Sequence, residues 1–130
     1  MVGLILVAHA GLARELLAAA EMIVGPIEKA QAIGITAKDS VEQIRDNVAS
    51  AIEKVSSTGV IIMADMFGGT PSNMSISFLQ ENEVEVITGV NLPMVIKFAS
   101  ERDKLGVAAL ASSIKKCGLE SISVAGDYLK

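Results

Sequence analysis

Short apolar runs alternate with amphipathic segments along this chain of 130 residues. The first run, from Val2 to Ala8, is apolar at every position except Gly3, which is typical of a strand covered on both faces. A helical pattern follows from Gly11 to about Val24 and ends at Gly25-Pro26. The remaining strands are predicted at about Ala30 to Ile35, Val60 to Ala64, Val84 to Thr88 and Ser121 to Ala125.

Capping signals predict where the remaining helices begin. Either Asp39 with Glu42 or Ser40 with Gln43 fits a capping box ahead of an amphipathic stripe that Gly59 terminates. The next helix has Thr70 as its N-cap and Pro71 as its first residue, and runs to about Gln80. Two further helical patterns cover about Pro93 to Ser100 and Asp103 to Lys116.

Repeated strand–helix units predict an α/β protein with a parallel sheet and helices on both faces. No internal repeat or linker interrupts residues 1–130, so we expect a single domain. Sites in such sheets lie at the carboxyl ends of the strands. The loops that follow the first, third and fourth strands, His9 to Gly11, Asp65 to Pro71 and Gly89 to Pro93, are therefore the candidates.

Composition narrows the class of protein. With 51% hydrophobic and 20% charged residues, the chain is too apolar for intrinsic disorder, and its single cysteine excludes an internal disulfide. A net charge of −4 and 3% aromatic residues argue against nucleic acid as a partner. The first apolar run is far shorter than the roughly 18 residues of a membrane span, and no basic signal-peptide region precedes it. We therefore expect a cytoplasmic protein.

His9 and Asp65 are the first polar residues after two apolar strands. If those strands are neighbours, the carboxylate can accept a hydrogen bond from one ring nitrogen and leave the other free as a nucleophile. For each residue alone, a structural role is the simpler interpretation: the histidine as a helix cap, the aspartate as a turn cap.

Gly68, Gly69 and Thr70 follow Asp65 closely and precede a predicted helix N-terminus. Two glycines allow backbone to approach a ligand, and the first N–H groups of a helix bind anions, so this segment is a candidate phosphate-binding loop. It lacks the Gly-Lys-Ser/Thr ending of a nucleotide-binding P-loop, and no dinucleotide fingerprint follows the first strand. An ordinary glycine-rich loop is the alternative.

Other candidates are weaker. One histidine and one cysteine lack the spacing of a metal site, so we expect neither a metal nor another cofactor. Cys117 lies late in a helix that ends at Gly118 and is expected to be a buried, inert thiol. Arg14 can face a phosphate, although a solvated charge is the more common role. Four residues near the site loops suit either a docking surface or the core: Met66, Phe67, Met94 and Phe98.

Taken together, three segments resemble the IIA component of the mannose family of the bacterial phosphoenolpyruvate-dependent sugar phosphotransferase system. They are Ala8-His9-Ala10-Gly11 after the first strand, Asp65 to Asn73, and Gly89 to Met94. The resemblance runs over essentially the whole chain, in order and with matching spacing, so residues 1–130 are identified as one IIA domain.

The resemblance implies a three-layer αβα fold with a mostly parallel sheet of strand order 2-1-3-4. It also implies a homodimer in which a C-terminal strand, here Ser121 to Ala125, crosses to the partner's sheet. Such domains accept a phosphoryl group from the histidine phosphocarrier protein on a histidine that matches His9, beside an aspartate that matches Asp65. They pass it to a IIB component, here a separate chain, and contact the membrane only through the IIC and IID components.

Three alternatives remain open from the sequence. The chain could be the phosphocarrier subunit of a dihydroxyacetone kinase, which has a similar fold and active histidine. It could be a regulatory module that is phosphorylated without transporting sugar. It could also be a flavodoxin-like ligand-binding protein without chemistry. The sugar is not encoded in these residues, because in the family scheme it never touches this domain.

Overall fold

A computed structural model describes residues 1–66 and 70–129, without the side chains of Pro71 and Ser72. The strands are β1 (Gly3–His9), β2 (Ala30–Ile35), β3 (Val60–Ala64) and β4 (Val84–Thr88). The helices are α1 (Leu12–Val24), α2 (Val41–Val55), α3 (Thr70–Ile76), α4 (Leu92–Glu101) and α5 (Val107–Glu120). A short 3₁₀ helix covers Ala125–Leu129.

The four strands form one parallel sheet in the order β2-β1-β3-β4, which confirms the predicted architecture and strand order. β1 lies between β2 and β3, with Val7 opposite Ala64 and His9 opposite Ile35. The carboxyl ends of β1 and β3 are therefore adjacent. This adjacency positions the candidate site.

Two hydrophobic cores lie on the two faces of the sheet. Alternate residues of β1 belong to different cores: Leu4 and Leu6 pack with α1, α4 and α5, while Ile5 and Val7 pack with α2 and α3. All four side chains are almost completely buried. A strand buried on both faces needs apolar residues at every position, which explains the continuous apolar run in the sequence.

The capping box of α2 is the Ser40–Gln43 alternative. Ser40 Oγ accepts from the Gln43 backbone N–H at 3.1 Å, and Gln43 Oε1 accepts from the Ser40 N–H at 2.9 Å. Asp39 instead closes the preceding turn, where its Oδ2 accepts from the Thr36 N–H at 2.8 Å.

The predicted extent of the third helix is wrong at its C-terminal end. α3 stops at Ile76 rather than near Gln80. The N–H groups of Ser77, Phe78 and Leu79 donate three residues back, and Ser77 Oγ also donates to the Met74 carbonyl at 2.5 Å. These tighter turns end the α-helix because they take carbonyls that its next turn would use.

Gly118 does not end the last α-helix, which continues to Glu120. A Cβ on Gly118 would overlap the side chain of Met94, so the glycine is needed where α5 packs against α4. This requirement comes from tertiary packing, and a glycine with such a role cannot be distinguished from a helix stop in the sequence.

The expected strand at Ser121 to Ala125 is absent from the described part of the chain. Residues 122–124 have no regular structure and Ala125 begins the 3₁₀ helix. Ile122 and Val124 are both exposed. A strand forms only beside a partner strand, and none of the segments that the structure describes in the single chain pairs with this tail.

Arg102 is a buried cation that the sequence analysis did not identify. Its Nε and Nη2 donate to the Val2 carbonyl at 3.0 and 2.6 Å, and its guanidinium lies 4.9 Å from the centre of the Phe98 ring. Burial, the largest influence, lowers the pKa of Arg102, although the charges of Asp103 and Glu28 oppose this. The contact joins the end of α4 to the beginning of β1.

Among the residues that the structure describes, no helix is long and apolar enough to cross a membrane.

Candidate functional site

The sheet brings His9 and Asp65 together at the carboxyl ends of β1 and β3. His9 is the last residue of β1, and Asp65 directly follows β3. The His9 side chain is 51% exposed, whereas that of Asp65 is only 12% exposed. The site therefore consists of a solvent-exposed imidazole in contact with a largely buried carboxylate.

One carboxylate oxygen holds both the backbone and the ring of the histidine. Asp65 Oδ2 accepts from the His9 backbone N–H at 2.9 Å and lies 2.7 Å from His9 Nδ1. The second oxygen, Oδ1, accepts from the Met66 N–H at 2.9 Å. Asp65 thus closes a turn and orients the ring at the same time.

The environment of Asp65 favours its ionised form. Burial is the largest influence and acts in the opposite direction, because it disfavours a charge. The hydrogen bonds from His9 and Met66 and the charge of His9 together outweigh burial and lower the pKa of Asp65. The carboxylate is therefore ionised at neutral pH.

An ionised carboxylate is only an acceptor, so Nδ1 must carry the hydrogen of a neutral ring. The lone pair of that ring then lies on Nε2. Among the described residues, Nε2 takes part in no hydrogen bond. The arrangement can present a neutral, oriented nitrogen nucleophile to an incoming group.

The interpretation of His9 as a helix cap is wrong. Gly11 is the N-cap of α1, and no side chain caps that helix. The ring instead contacts Asp65.

The candidate phosphate-binding segment lies partly outside the described residues. Gly68 and Gly69 belong to that part, and Thr70 is the exposed first residue of α3. Since α3 begins at Thr70, the helix includes the residue that was expected to cap it.

The apolar residues near the site divide into two groups. Met94 and Phe98 are buried and pack with α1 and α5 in one core, so they do not belong to a docking surface. Met66 is 55% exposed beside Asp65, and Phe67 lies outside the described residues.

Arg14 and Cys117 are not drawn into the site by any described contact. The Arg14 side chain is 81% exposed and pairs with Glu15 at 3.5 Å. Cys117 is a half-buried residue of α5, with its Sγ 3.8 Å from the carbonyl oxygen of Pro93 in α4. It is therefore less buried than expected.

The third candidate loop has a structural role in the described contacts. Gly89 has a φ of 78°, in the left-handed region that glycine tolerates. Asn91 caps α4 by accepting from the Met94 N–H at 3.2 Å, and its Nδ2 donates to the Gly118 carbonyl at 3.2 Å.

The sequence analysis did not identify Gly34 or the unusual backbone conformation of Ala10, both beside the histidine. Ala10 has a φ of 52°, and a Cβ on Gly34 would overlap the Ala10 carbonyl oxygen. An isolated glycine inside an apolar strand is the signal that could have indicated this close approach.

Across residues 1–66 and 70–129, no group of three or more metal-ligating side chains is present.

Comparison with known proteins agrees with this fold. Residues 3–115 match the model of a family described as "PTS system fructose IIA component", where PTS denotes the phosphotransferase system. The sorbose-specific EIIA component of Lacticaseibacillus casei is 33% identical over 114 residues, which are 87% of this chain and 83% of that protein.

Two further proteins are similar. The mannose-specific EIIAB component of Escherichia coli strain K12 is 30% identical over 104 residues, which cover 78% of this chain but 32% of that protein. A solved structure, the mannose/sorbose-specific IIA subunit from Enterococcus faecalis, superposes with a TM-score of 0.85 at 28% identity, over 95% of this chain and 93% of that one.

The fold and the family match place the chain among the α/β phosphotransferases that carry a phosphoryl group on histidine. Within that class, the chain belongs to the fructose/mannose IIA family of the sugar phosphotransferase system. Membership rules out the interpretation as a ligand-binding protein without chemistry.

Proposed function

We propose that His9 accepts a phosphoryl group on Nε2 from the phosphorylated histidine phosphocarrier protein and passes it to a IIB component for sugar uptake. The observation that supports this most is the 2.7 Å contact between His9 Nδ1 and Asp65 Oδ2, which leaves Nε2 as the nucleophile. The family assignment supplies the class of donor and acceptor.

The transfer needs no proton release. The Nε2 lone pair attacks phosphorus while the phosphorus–nitrogen bond of the donor breaks, and that bond's electron pair returns to the donor ring. Nδ1 keeps its hydrogen, so the phosphorylated ring of His9 carries positive charge that the Asp65 carboxylate stabilises. Transfer to the IIB component reverses these steps at His9.

We also propose that Gly68, Gly69 and Thr70 bind the phosphoryl oxygens. Exposure of Thr70 at the start of α3 is the described feature that supports this role. Transfer kinetics of Thr70→Ala test it against Thr58→Ala, an exposed threonine in the loop before β3. Equal rates in the two variants would remove Thr70 from the phosphate site.

The function is tested by reconstitution. The pure protein is mixed with phosphoenolpyruvate, the general first enzyme of the system and the phosphocarrier protein, and its mass is measured. We expect the gain of one phosphoryl group, labile in acid and stable in alkali as phosphoramidates are. His9→Ala should remain folded and gain none, since His9 is the chain's single histidine. Labelling of His9→Ala, or labelling by ATP without the carrier, would contradict the proposal.

A chase experiment separates transport from its alternatives. Phosphorylated protein is mixed with IIB components of sorbose, fructose and mannose systems, and separately with the nucleotide-binding subunit of a dihydroxyacetone kinase. Loss of the phosphoryl group to a IIB component supports sugar transport, which the names of the relatives favour. Transfer to the kinase subunit alone would replace it, and retention with every acceptor would favour a regulatory module.

A further inference from the structure

The chain turns sharply directly after His9. Ala10 has a φ of 52°, in the left-handed region that residues with a Cβ seldom adopt. The turn is tied to the neighbouring strand, because the Ala10 N–H donates to the Ile35 carbonyl at 2.8 Å. Strained backbone of this kind persists only where surrounding contacts hold it, and it is concentrated at functional sites.

Gly34 of β2 provides the space for this turn. It lies opposite Ala8 in the sheet register, and a Cβ at Gly34 would overlap the carbonyl oxygen of Ala10. The obstacle is backbone, which cannot move aside as a flexible side chain can. Since Gly34 does not have a positive φ, its glycine is required for space and not for conformation.

The core does not require a glycine at this position. Gly34 is exposed on β2, an edge strand, so no core side chain occupies the space that its Cβ would take. The consequence of an added Cβ is local and falls on the peptide that leaves His9.

We propose that Gly34 is a positioning residue for His9: by leaving space for the Ala10 carbonyl, it sets the turn that aims the imidazole at Asp65. The ring is then fixed from two sides, by Asp65 Oδ2 and by the turn tied to Ile35. This inference rests on the proposed role of His9 as the phosphoryl acceptor.

The test compares Gly34→Ala with Gly106→Ala, whose added Cβ would meet open space at the start of α5. Transfer from the phosphorylated carrier is measured per folded molecule, and nitrogen NMR of the single histidine reports which ring nitrogen carries the hydrogen. For Gly34→Ala we expect kcat to fall about 10- to 100-fold because the nucleophile is displaced. KM for the carrier should stay unchanged, and the Nδ1–H form of the ring should lose population. Gly106→Ala should match the wild type in all three.

A second variant, Ala10→Pro, disrupts the same turn without changing a residue of β2. Proline cannot adopt a φ of 52° and has no N–H for Ile35, and residue 10 is exposed and outside β1. The same loss of kcat and the same ring signature are expected. If both variants unfold, or if either folds and keeps the wild-type kcat and ring signature, the inference is wrong and the turn serves the fold alone.

The two proposals fail differently. A wild-type protein that gains no phosphoryl group on His9 contradicts the proposed function. The ring resonances of Gly34→Ala still decide whether Gly34 positions His9, because they need no donor.

Discussion

At the scale of single residues, Asp65 controls both the position of the His9 ring and the nitrogen that can react. Replacing it by asparagine keeps the shape but removes the charge and adds an N–H₂ group that can face Nδ1. The ring would then favour a hydrogen on Nε2, where the attacking lone pair is needed. We expect Asp65→Asn to fold and to transfer at least about tenfold more slowly, as measured by rapid mixing with the phosphorylated carrier.

Asp39→Asn is the matched control for this prediction, because Asp39 also accepts a backbone N–H in a turn but has no contact with His9. It should transfer at the wild-type rate. A wild-type rate in folded Asp65→Asn would remove the carboxylate from the mechanism.

The same carboxylate makes stability depend on pH. The pKa of Asp65 is lower in the folded chain than the value of about 4 expected when unfolded, so its ionised form stabilises the fold. This contribution is complete above the unfolded pKa and is lost as the pH falls through the folded pKa. The difference in unfolding free energy between wild type and Asp65→Asn, from urea titrations, should shrink as the pH falls from about 5 to below about 4, where the carboxylate itself titrates. A difference that grows across that acid range would reverse the assigned sign.

The sequence was sufficient to predict that His9 and Asp65 meet and insufficient to predict what holds the turn beside them. His9 and Asp65 each end an apolar strand, and parallel topology places such residues at one edge. The roles of Ala10 and Gly34 depend on how closely β2 approaches the turn after β1. That distance is set by how the sheet packs. In the sequence, the isolated glycine at position 34 is the only sign of it.

At the scale of elements, Arg102 connects the end of α4 to the beginning of β1. Replacing it by methionine keeps the length and apolar contact but removes both donors to the Val2 carbonyl. We expect Arg102→Met to lower the free energy of unfolding by about 1–3 kcal/mol, measured by chemical denaturation. Transfer per folded molecule should not change, because Val2 directly precedes β1 and His9 ends that strand, about 20 Å away.

Arg45→Met provides the comparison, since Arg45 is exposed on α2 and should tolerate the same change. Equal stability of the two variants would show that the Arg102 contact contributes nothing net.

Sequence patterns predicted the helices and strands that are specified by neighbouring residues. They failed to predict element boundaries and strands that depend on tertiary contacts. The four strands follow from apolar runs, and the capping residues predicted the start of α2 while leaving the Asp39–Glu42 and Ser40–Gln43 boxes as alternatives. The end of α5 was misplaced because Gly118 makes room for Met94, a contact 24 residues away in the chain. The tail strand was wrong for the single chain because a strand needs a neighbour, and sequence alternation does not say which chain supplies it.

At the scale of the whole molecule, the open edge of β4 lies close to an exposed apolar segment that follows α5. β4 is an edge strand, and a groove of about 430 Å³ runs between it and α5, with Ile122 in its lining. The segment after α5 exposes four large apolar side chains to solvent in the single chain: Ile122, Val124, Tyr128 and Leu129. An open strand edge beside an exposed apolar segment favours pairing across chains.

We therefore predict a homodimer in which the segment after Ser121 of one protomer lies along β4 of its partner. Sedimentation should find the intact chain dimeric at micromolar concentration and a chain ending at Ser121 monomeric. That truncation keeps α5 complete, since the helix ends at Glu120.

A full-length variant that combines Ile122→Asn with Val124→Asn should also weaken the dimer, because both exposed apolar side chains would be lost from the contact. A monomeric intact chain would contradict the dimer, and a truncated chain that stays dimeric would place the interface elsewhere. Because His9 and Asp65 belong to one chain, the truncated protein should still be phosphorylated.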